Sequence, residues 1–182
     1  MLSYRHSFHA GNFADVLKHS VLIELLEHFC KKDKAFSYID SHAGAGLYNL
    51  QSAHAEKTGE YRQGIGKLMQ SSVPELNSYL AAVKATNQPN ALTFYPGSPL
   101  IALQYLRSLD RAWLYELHPD DNKRLTENTK GMRNVRVLRE DGLQGVLAQV
   151  PPVSRRALVL IDPSYEIKTE YDAVIDCVIK AH

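Results

Sequence analysis

The residues that do most to specify a reaction are Asp162, Pro163, Ser164 and Tyr165, which directly follow the apolar run ALVLI at positions 157–161. The Asp162 side chain and the Pro163 carbonyl can accept the two hydrogens of an exocyclic amine, and Tyr165 can stack on the plane of a base. Such an amine is a poor nucleophile because its lone pair is delocalised into the ring. Fixed acceptors that favour its pyramidal form therefore stabilise the transition state selectively. The motif predicts a site that activates an exocyclic amine.

A glycine-containing turn, DSHAGAG at positions 40–46, follows another β-rich run. It combines an acid at a strand end with two glycines that let the backbone approach a ligand closely. The third glycine of a dinucleotide fingerprint is missing, since position 49 is Asn, and Leu47 and Tyr48 disfavour a phosphate cradle. An ordinary strand-to-helix turn is the alternative interpretation of this segment.

Two further acids lie at or shortly after predicted strands. Glu116 ends the run AWLYE at 112–116, where doubly wound folds place a carboxylate that receives two ribose hydroxyls. Asp141 follows NVRVL at 134–138, and its side chain and the N–H of Gly142 are suited to hydrogen bonding with an adenine. Taken alone, an exposed acid at a strand end and a simple turn also explain these two positions.

Helix and strand patterns alternate along the chain. Apolar residues at helical spacing from Phe13 to Phe29, preceded by a candidate N-cap at Asn12, predict a long amphipathic helix. The predicted strands cover 35–40, 112–116, 134–138 and 157–162, and further predicted helices cover 59–70, 74–86, 99–109 and 171–182. This alternation favours an α/β doubly wound sheet, with the helices between the first two strands forming an insertion.

The sheet predicted in this way has about four strands and ends with an exposed edge. Either the partner strands come from elsewhere, or the sequence is the first part of a longer chain. We expect the 182 residues alone to be poorly soluble or self-associated, because an unpaired edge and apolar surface favour association.

Composition limits the classes of protein. With 45% hydrophobic and 23% charged residues, the chain is expected to fold as a globular domain, and its net charge of +1 requires any nucleic-acid binding to come from local patches. A secretory signal and a membrane-spanning run are not recognisable, so we expect a cytoplasmic protein with no membrane partner. Cys30 and Cys177 are read as reduced, buried thiols, and the eight histidines lack metal-ligand spacing, so no metal site is predicted.

Residues 1–11 have no periodicity and are read as an exposed tail. This segment mixes Tyr4, Arg5, His6 and Phe8. Aromatic side chains interleaved with basic ones can stack on unpaired bases and neutralise phosphates. A simple disordered terminus is the alternative.

Several motifs in combination resemble one bacterial family. They are LSYRHSFHAGNFADVLKH, DSHAGAG, AHAEKTGEY, YPGSPLIA, ELHP and QVPPVSRRALVLIDPSYE, and they run through the whole sequence. Together they resemble the RlmJ family, whose members methylate adenine in large-subunit ribosomal RNA. The Asp-Pro-Ser-Tyr segment is also similar to the Asp-Pro-Pro-Tyr motif of amino-methyltransferases that act on adenine N6.

The resemblance implies a Rossmann-like class I fold dependent on S-adenosylmethionine (SAM), with a helical insertion at about 48–91 and without the last strands of the sheet. It implies N6 methylation of an adenine in 23S ribosomal RNA by a domain at 12–182, with residues 1–11 as a substrate-contacting tail. Cofactor contacts are expected at His19, His42, Ser98, Glu116, Asp141, Gly142 and Asp162. Catalytic roles are expected for Asp162, Pro163 and Tyr165, and substrate contacts for Tyr4, Lys18 and Tyr165. An obligate protein partner is not indicated.

Two departures from the family pattern leave alternatives open. Ser164 stands where the motif has a second proline, and the family's chains are longer. One alternative is an adenine-N6 methyltransferase acting on DNA. The other is a noncatalytic nucleic-acid-binding protein linked to the use of external DNA.

Overall fold

The computed structural model describes residues 4–182, which form two compact units. The first, here called the sheet unit, contains Tyr4, Phe29–Ala45 and Leu106–His182. The second, the helical unit, contains Arg5–His28 and Gly46–Tyr105. The helices are α1 (Phe13–Cys30), α2 (Ala53–Thr58), α3 (Ile65–Leu68), α4 (Asn77–Lys84), α5 (Ser98–Leu103), α6 (Pro119–Asn128), α7 (Gly142–Gln149) and α8 (Thr169–Ala181). The strands are β1 (Ser37–Asp40), β2 (Leu47–Asn49), β3 (Phe94–Pro96), β4 (Arg111–Tyr115), β5 (Val135–Leu138) and β6 (Ala157–Leu160).

The sheet unit is built on a parallel sheet with strand order β5-β4-β1-β6. The register aligns Ile39 with Trp113 and Val159, so these three side chains share one face of the sheet. Helices α7 and α8 cover that face and add Val146 and Cys177 to its apolar core. The four predicted strands are confirmed, with bounds that differ from the predicted ones by at most two residues.

A close helix-to-sheet approach explains one glycine of α7. A Cβ added to Gly145 would lie 2.3 Å from the ring of Tyr115, which is buried on β4. Only glycine lets α7 lie this close to the strand that delivers Glu116.

The predicted free edge is present. Within residues 4–182, β6 pairs with β1 alone and ends the sheet. On the adjoining helix α8, the apolar side chains of Ile175, Val178 and Ile179 are 56%, 53% and 68% exposed. The described part of the sheet unit therefore presents both a strand edge without a partner strand and apolar helix surface.

In the helical unit, two of the predicted helices are broken into shorter pieces. The stretch predicted as one helix at 59–70 forms a 3-10 turn at Glu60–Arg62 and the short α3. Gly64 lies between them, and only glycine fits there, because a Cβ would lie 2.1 Å from the Gly11 carbonyl oxygen. The helix predicted at 74–86 begins as a 3-10 turn at Pro74–Leu76 before α4. The antiparallel pair of β2 and β3 was not predicted.

The helix predicted at 99–109 is also too long, since α5 ends at Leu103. In the sheet unit, the buried Asp110 carboxylate accepts the backbone N–H of Arg107 at 2.9 Å and its guanidinium at 2.8 Å. The same carboxylate accepts the N–H of Phe36 at 3.0 Å. These hydrogen bonds hold Arg107 and Asp110 in a turn, which gives the backbone an alternative to helix continuation.

The interpretation of residues 1–11 as an exposed tail is wrong for the residues that the structure describes. His6–Phe8 form a 3-10 turn, and Ala10 and Gly11 are buried. The Phe8 ring stacks on His54 with centroids 4.1 Å apart, and the Ser7 hydroxyl lies 2.8 Å from His54 Nδ1. Side-chain partners in α2 therefore order a segment that has no periodicity of its own. Residues 1–3 lie outside the described part of the chain.

Helix α1 is confirmed in extent, and the Asn12 side chain caps it by accepting the Asp15 N–H at 3.0 Å. Its expected apolar face is only partly confirmed, since Leu22 and Leu26 are buried but other members of the pattern are not. Phe13, Leu17 and Val21 are 77%, 68% and 51% exposed, whereas Asp15 and His19 are 1% exposed. Polar partners inside the helical unit satisfy Asp15, and His19 Nδ1 lies 2.8 Å from the Tyr95 hydroxyl.

Candidate functional site

The parallel order of the sheet unit places four predicted site segments at one edge. The carboxyl ends of parallel strands meet there, so Asp40 ends β1, Glu116 follows β4, Asp141 follows β5 and Asp162 follows β6. Ligands bind at this edge in open α/β sheets. The structure thus brings together the loops that carry His42, Glu116, Asp141, Gly142 and Asp162.

Ser41 connects the turn after β1 to the end of β6. Its backbone N–H and its hydroxyl both donate to the Leu160 carbonyl, at 3.0 and 3.1 Å. The same hydroxyl lies 2.8 Å from His42 Nδ1, which then donates to it and leaves His42 Nε2 able to accept. Desolvation by the surrounding chain lowers the pKa of His42, although the carboxylates of Asp162 and Glu170 act in the opposite direction. The ring is therefore a neutral acceptor at neutral pH.

The Asp40 carboxylate holds this turn through hydrogen bonds, a role that the sequence did not predict. Its carboxylate is fully buried and accepts the Tyr38 hydroxyl at 2.7 Å and the His42 N–H at 3.3 Å. Tyr38 lies two residues earlier on the same strand, and this spacing was the available signal.

Glu116 organises the glycine turn. Its Oε2 accepts the Gly44 N–H at 2.8 Å, and its Oε1 accepts the His118 N–H at 2.6 Å. Burial raises the pKa of Glu116, and the two backbone N–H groups partly offset this effect. Each oxygen retains a second lone pair that can accept a ligand hydroxyl.

Asp141 and Gly142 form the amino terminus of α7. The Asp141 side chain accepts the Gln144 N–H at 3.0 Å, which is an N-cap contact. A Cβ on Gly142 would lie 1.8 Å from the Ser41 carbonyl oxygen, so glycine is required where the two loops meet. The capping role accounts for one Asp141 oxygen and leaves the other for a ligand.

The turn after β6 has a strained backbone. Pro163 is buried, whereas Tyr165 is 37% exposed and has φ +54°, in the left-handed region. The Tyr165 ring packs against Tyr171 with centroids 4.5 Å apart. Partial burial and the Asp162 carboxylate raise the pKa of Tyr165, so its ring stays uncharged and suited to stacking.

The helical unit carries a second group of predicted site residues. The buried Asp15 carboxylate binds Lys18 Nζ at 2.8 Å, His6 Nε2 at 2.9 Å and the Gly11 N–H at 2.9 Å. Burial raises the pKa of Asp15, but its neighbours, chiefly His6, outweigh that effect and hold the pKa well below its ordinary value. Sequence reasoning missed Asp15, although it is the acid three residues before Lys18.

His19 is buried beside this group. Its Nδ1 lies 2.8 Å from the Tyr95 hydroxyl, which lies 3.1 Å from the Tyr79 hydroxyl. Its Nε2 is buried without a hydrogen-bond partner in the described structure. An unsatisfied buried nitrogen is costly, and a bound ligand is one way to satisfy it. The buried Ser98 begins α5 in the same unit.

The burial of His19 gives a testable pH dependence. Burial lowers the pKa of His19 to about 3, although the Asp15 carboxylate acts in the opposite direction. The unfolded chain takes up this proton near the ordinary value of 6.5 and the folded chain does not. Stability is therefore expected to fall with decreasing pH between these values, by up to about 1.4 kcal/mol per pH unit.

Urea unfolding of wild type and His19→Gln between about pH 7 and pH 4 measures this slope, which we expect to be shallower in the variant. His28→Gln is the matched control, because His28 is exposed on the same helix. Equal slopes for wild type and His19→Gln would contradict the assignment.

Within residues 4–182, no group of three or more His, Cys, Asp or Glu side chains is arranged to hold a metal ion. The helices of this part of the chain also include none that is long and apolar enough to cross a bilayer.

The sheet and its strand-end acids define the class of protein. A parallel sheet of order β5-β4-β1-β6, covered by helices and carrying acids at its carboxyl edge, is the Rossmann-like fold of class I methyltransferases. The family model described as Ribosomal RNA large subunit methyltransferase D, RlmJ matches residues 33–182. The chain belongs to this family, which confirms the resemblance seen in the sequence.

Named relatives agree. Ribosomal RNA large subunit methyltransferase J of Escherichia coli (strain K12) is 51% identical over 184 residues, covering 100% of this chain and 66% of the relative. The Haemophilus influenzae protein of the same name is 51% identical over 181 residues, covering 98% and 64%. The crystal structure of protein LPL1258 from Legionella pneumophila matches with a TM-score of 0.88 and 38% identity, covering 94% of this chain and 64% of that one. The chain thus spans slightly less than two thirds of these proteins.

Proposed function

We propose that this chain contains the catalytic motif and cofactor contacts of an enzyme that transfers a methyl group from SAM to N6 of an adenine in 23S ribosomal RNA. The observation that carries the proposal is the meeting of Glu116 and the Asp162-Pro163-Ser164-Tyr165 turn at one edge of the sheet. Family membership and the names of the relatives support the choice of reaction and of RNA.

The residues at this edge suit SAM, which supplies an electrophilic methyl group on a sulfonium. The free lone pairs of Glu116 would accept the two ribose hydroxyls, and Asp141 with the Gly142 N–H would hydrogen-bond the adenine ring. His42 offers a neutral nitrogen at the same edge. Of the contacts proposed in the helical unit, His19 has an unpartnered buried nitrogen and Ser98 has a buried side chain.

The target amine would be held by Asp162 and the Pro163 carbonyl. These two acceptors would take the two N–H groups of the exocyclic amine and favour its pyramidal, nucleophilic form. Tyr165 would stack on the base, and the buried Pro163 would keep its carbonyl fixed. Such a pocket requires a single-stranded or flipped-out adenine, because a base within a duplex cannot reach it.

The proposal is tested in two stages with the purified chain. Calorimetry first measures SAM binding, and transfer of labelled methyl groups to protein-free 23S ribosomal RNA and to DNA follows. We expect binding and transfer to RNA, with N6-methyladenine as the product. Transfer to DNA alone would favour a DNA methyltransferase, and binding of SAM and RNA without transfer would favour a noncatalytic nucleic-acid-binding protein.

Tyr4 and Lys18 are proposed substrate contacts. Tyr4→Ala should lower the efficiency of RNA methylation by roughly 5- to 150-fold, because loss of base stacking costs about 1–3 kcal/mol. SAM affinity should not change, and Tyr4→Phe should keep most of the efficiency because it retains the ring. Steady-state rates at limiting RNA measure this, and equal efficiency of Tyr4→Ala and wild type would exclude a contact. Deleting residues 1–9 is a less specific test, since His6 binds the buried Asp15.

A further inference from the structure

Ser164 connects the candidate catalytic turn to helix α8. The Ser164 hydroxyl donates to Glu170 Oε2 at 3.4 Å. The Ser164 hydroxyl oxygen also accepts the Glu166 N–H, at the same distance of 3.4 Å. Glu170 is half-buried in the first turn of α8. The Ser164 side chain therefore links the turn that follows β6 to helix α8, which packs over the face of the sheet that carries Ile39.

The turn needs such a link because its backbone is strained. Tyr165 has φ +54°, a conformation that costs a non-glycine residue free energy and persists only where the surroundings impose it. Tyr171, which directly follows Glu170, packs on the Tyr165 ring at 4.5 Å. The first turn of α8 thus contacts both Ser164 and Tyr165.

The Glu170 carboxylate also faces the site. It is one of the charges that raise the pKa of Tyr165, and it acts on His42 together with Asp162. These effects on Tyr165 and His42 agree with the position of Glu170 at the Ser164 contact, at the start of α8.

We propose that Ser164 and Glu170 form a positioning pair, which holds the Asp162 and Pro163 acceptors and the Tyr165 ring in place for the target amine. The inference rests on the proposed function, since it concerns the same turn. A proline at position 164 would restrict Pro163 to an extended backbone by sterics alone. In this chain a hydrogen bond to α8 replaces that restriction. Neither residue of the pair is itself catalytic.

The pair predicts a specific pattern of single-turnover rates at saturating SAM. Ser164→Ala and Glu170→Ala should each slow methyl transfer about tenfold through loss of alignment, with the affinity for SAM unchanged. The double variant should be no slower than either single variant, because both remove one interaction. Glu170→Gln should stay close to wild type, since its amide oxygen still accepts the Ser164 hydroxyl.

Ser164→Pro is the decisive rescue. The methyl-transfer rate of Ser164→Pro should be at least half that of the wild type, because proline restricts the turn without the hydrogen bond. Adding Glu170→Ala to Ser164→Pro should leave this rate unchanged. Wild-type rates in Ser164→Ala would overturn the proposal. Equal damage by Glu170→Ala in the serine and proline backgrounds would also overturn it, since Glu170 would then act independently of Ser164.

Hydrogen exchange separates this inference from the proposed function. Backbone amides of residues 161–166 should exchange several-fold faster in Ser164→Ala and Glu170→Ala than in the wild type, whether or not RNA is methylated. If the wild type binds SAM but methylates nothing, the proposed function fails, and faster exchange in both variants still supports the pair. Unchanged exchange in both variants would show that the pair does not hold the turn.

Discussion

Asp162→Ala is expected to lower methyl transfer by about 100- to 1,000-fold, the usual effect of removing one fixed hydrogen-bond partner from a transition state. Asp162→Asn is expected to keep a clearly measurable fraction of the rate. Methylation makes the amine nitrogen cationic and strongly acidic, so its proton can leave to almost any acceptor. A strong base is unnecessary, and Asn retains a carbonyl oxygen at nearly the same place.

Single-turnover rates with saturating SAM measure this order, since saturation removes any contribution from weakened cofactor binding. RNA binding should be retained in both variants. Asp172→Ala is the matched control, because Asp172 is exposed on α8. If Asn and Ala were equally inactive, Asp162 would be a true general base and not only an acceptor.

The sheet was predictable because its strands are short apolar or β-rich runs whose order along the chain alternates with helices. The meeting of Glu116, Asp141 and Asp162 at one edge followed from that topology, since the carboxyl ends of parallel strands lie together. Periodicity indicates a strand or helix within a run, and it does not depend on the partners of that run. The strands could therefore be predicted from the sequence of each run alone.

The helical unit was less predictable because its structure depends on contacts between distant residues. The 3-10 turn at His6–Phe8 is held by His54, and the chain at Gly64 packs closely against the Gly11 carbonyl, which accepts the Ile65 N–H. On α1, burial of Asp15 and His19 depends on Lys18, His6 and Tyr95. A hydrophobicity pattern treats acids and histidines as exposed, so it missed the burial of Asp15 and His19 although it placed Leu22 and Leu26 correctly.

The supporting side chains of the site were unpredictable for a similar reason. The roles of Ser41 and Ser164 come from hydrogen bonds to Leu160 and Glu170, and serine at a turn has many other uses. The sequence indicated which residues could contact ligands. Which side chains support those residues depends on contacts that form only in the folded structure.

Glu116→Ala is expected to weaken SAM binding by about 150- to 20,000-fold. Loss of two charge-assisted hydrogen bonds to ribose hydroxyls costs roughly 1.5–3 kcal/mol each. The same change removes the acceptor of the Gly44 and His118 N–H groups, so the glycine turn also loses its anchor. SAM binding by Glu116→Gln should be impaired too. A glutamine side chain has one acceptor oxygen for the two backbone N–H donors, and its NH₂ group would face the second donor without accepting from it.

Calorimetry with folded variants measures these affinities, and Glu127→Ala on the exposed side of α6 is the control. The pH dependence gives an independent check. Burial raises the pKa of Glu116, and only its charged form makes the stronger hydrogen bonds. As the pH falls, wild-type affinity should therefore begin to decrease at a higher pH than the ordinary glutamate value of 4.5 would set. That decrease should be absent from the residual binding of Glu116→Gln, which has no proton to gain at this position. Wild-type affinity in Glu116→Ala would remove Glu116 from the cofactor site and leave it as the anchor of the glycine turn alone.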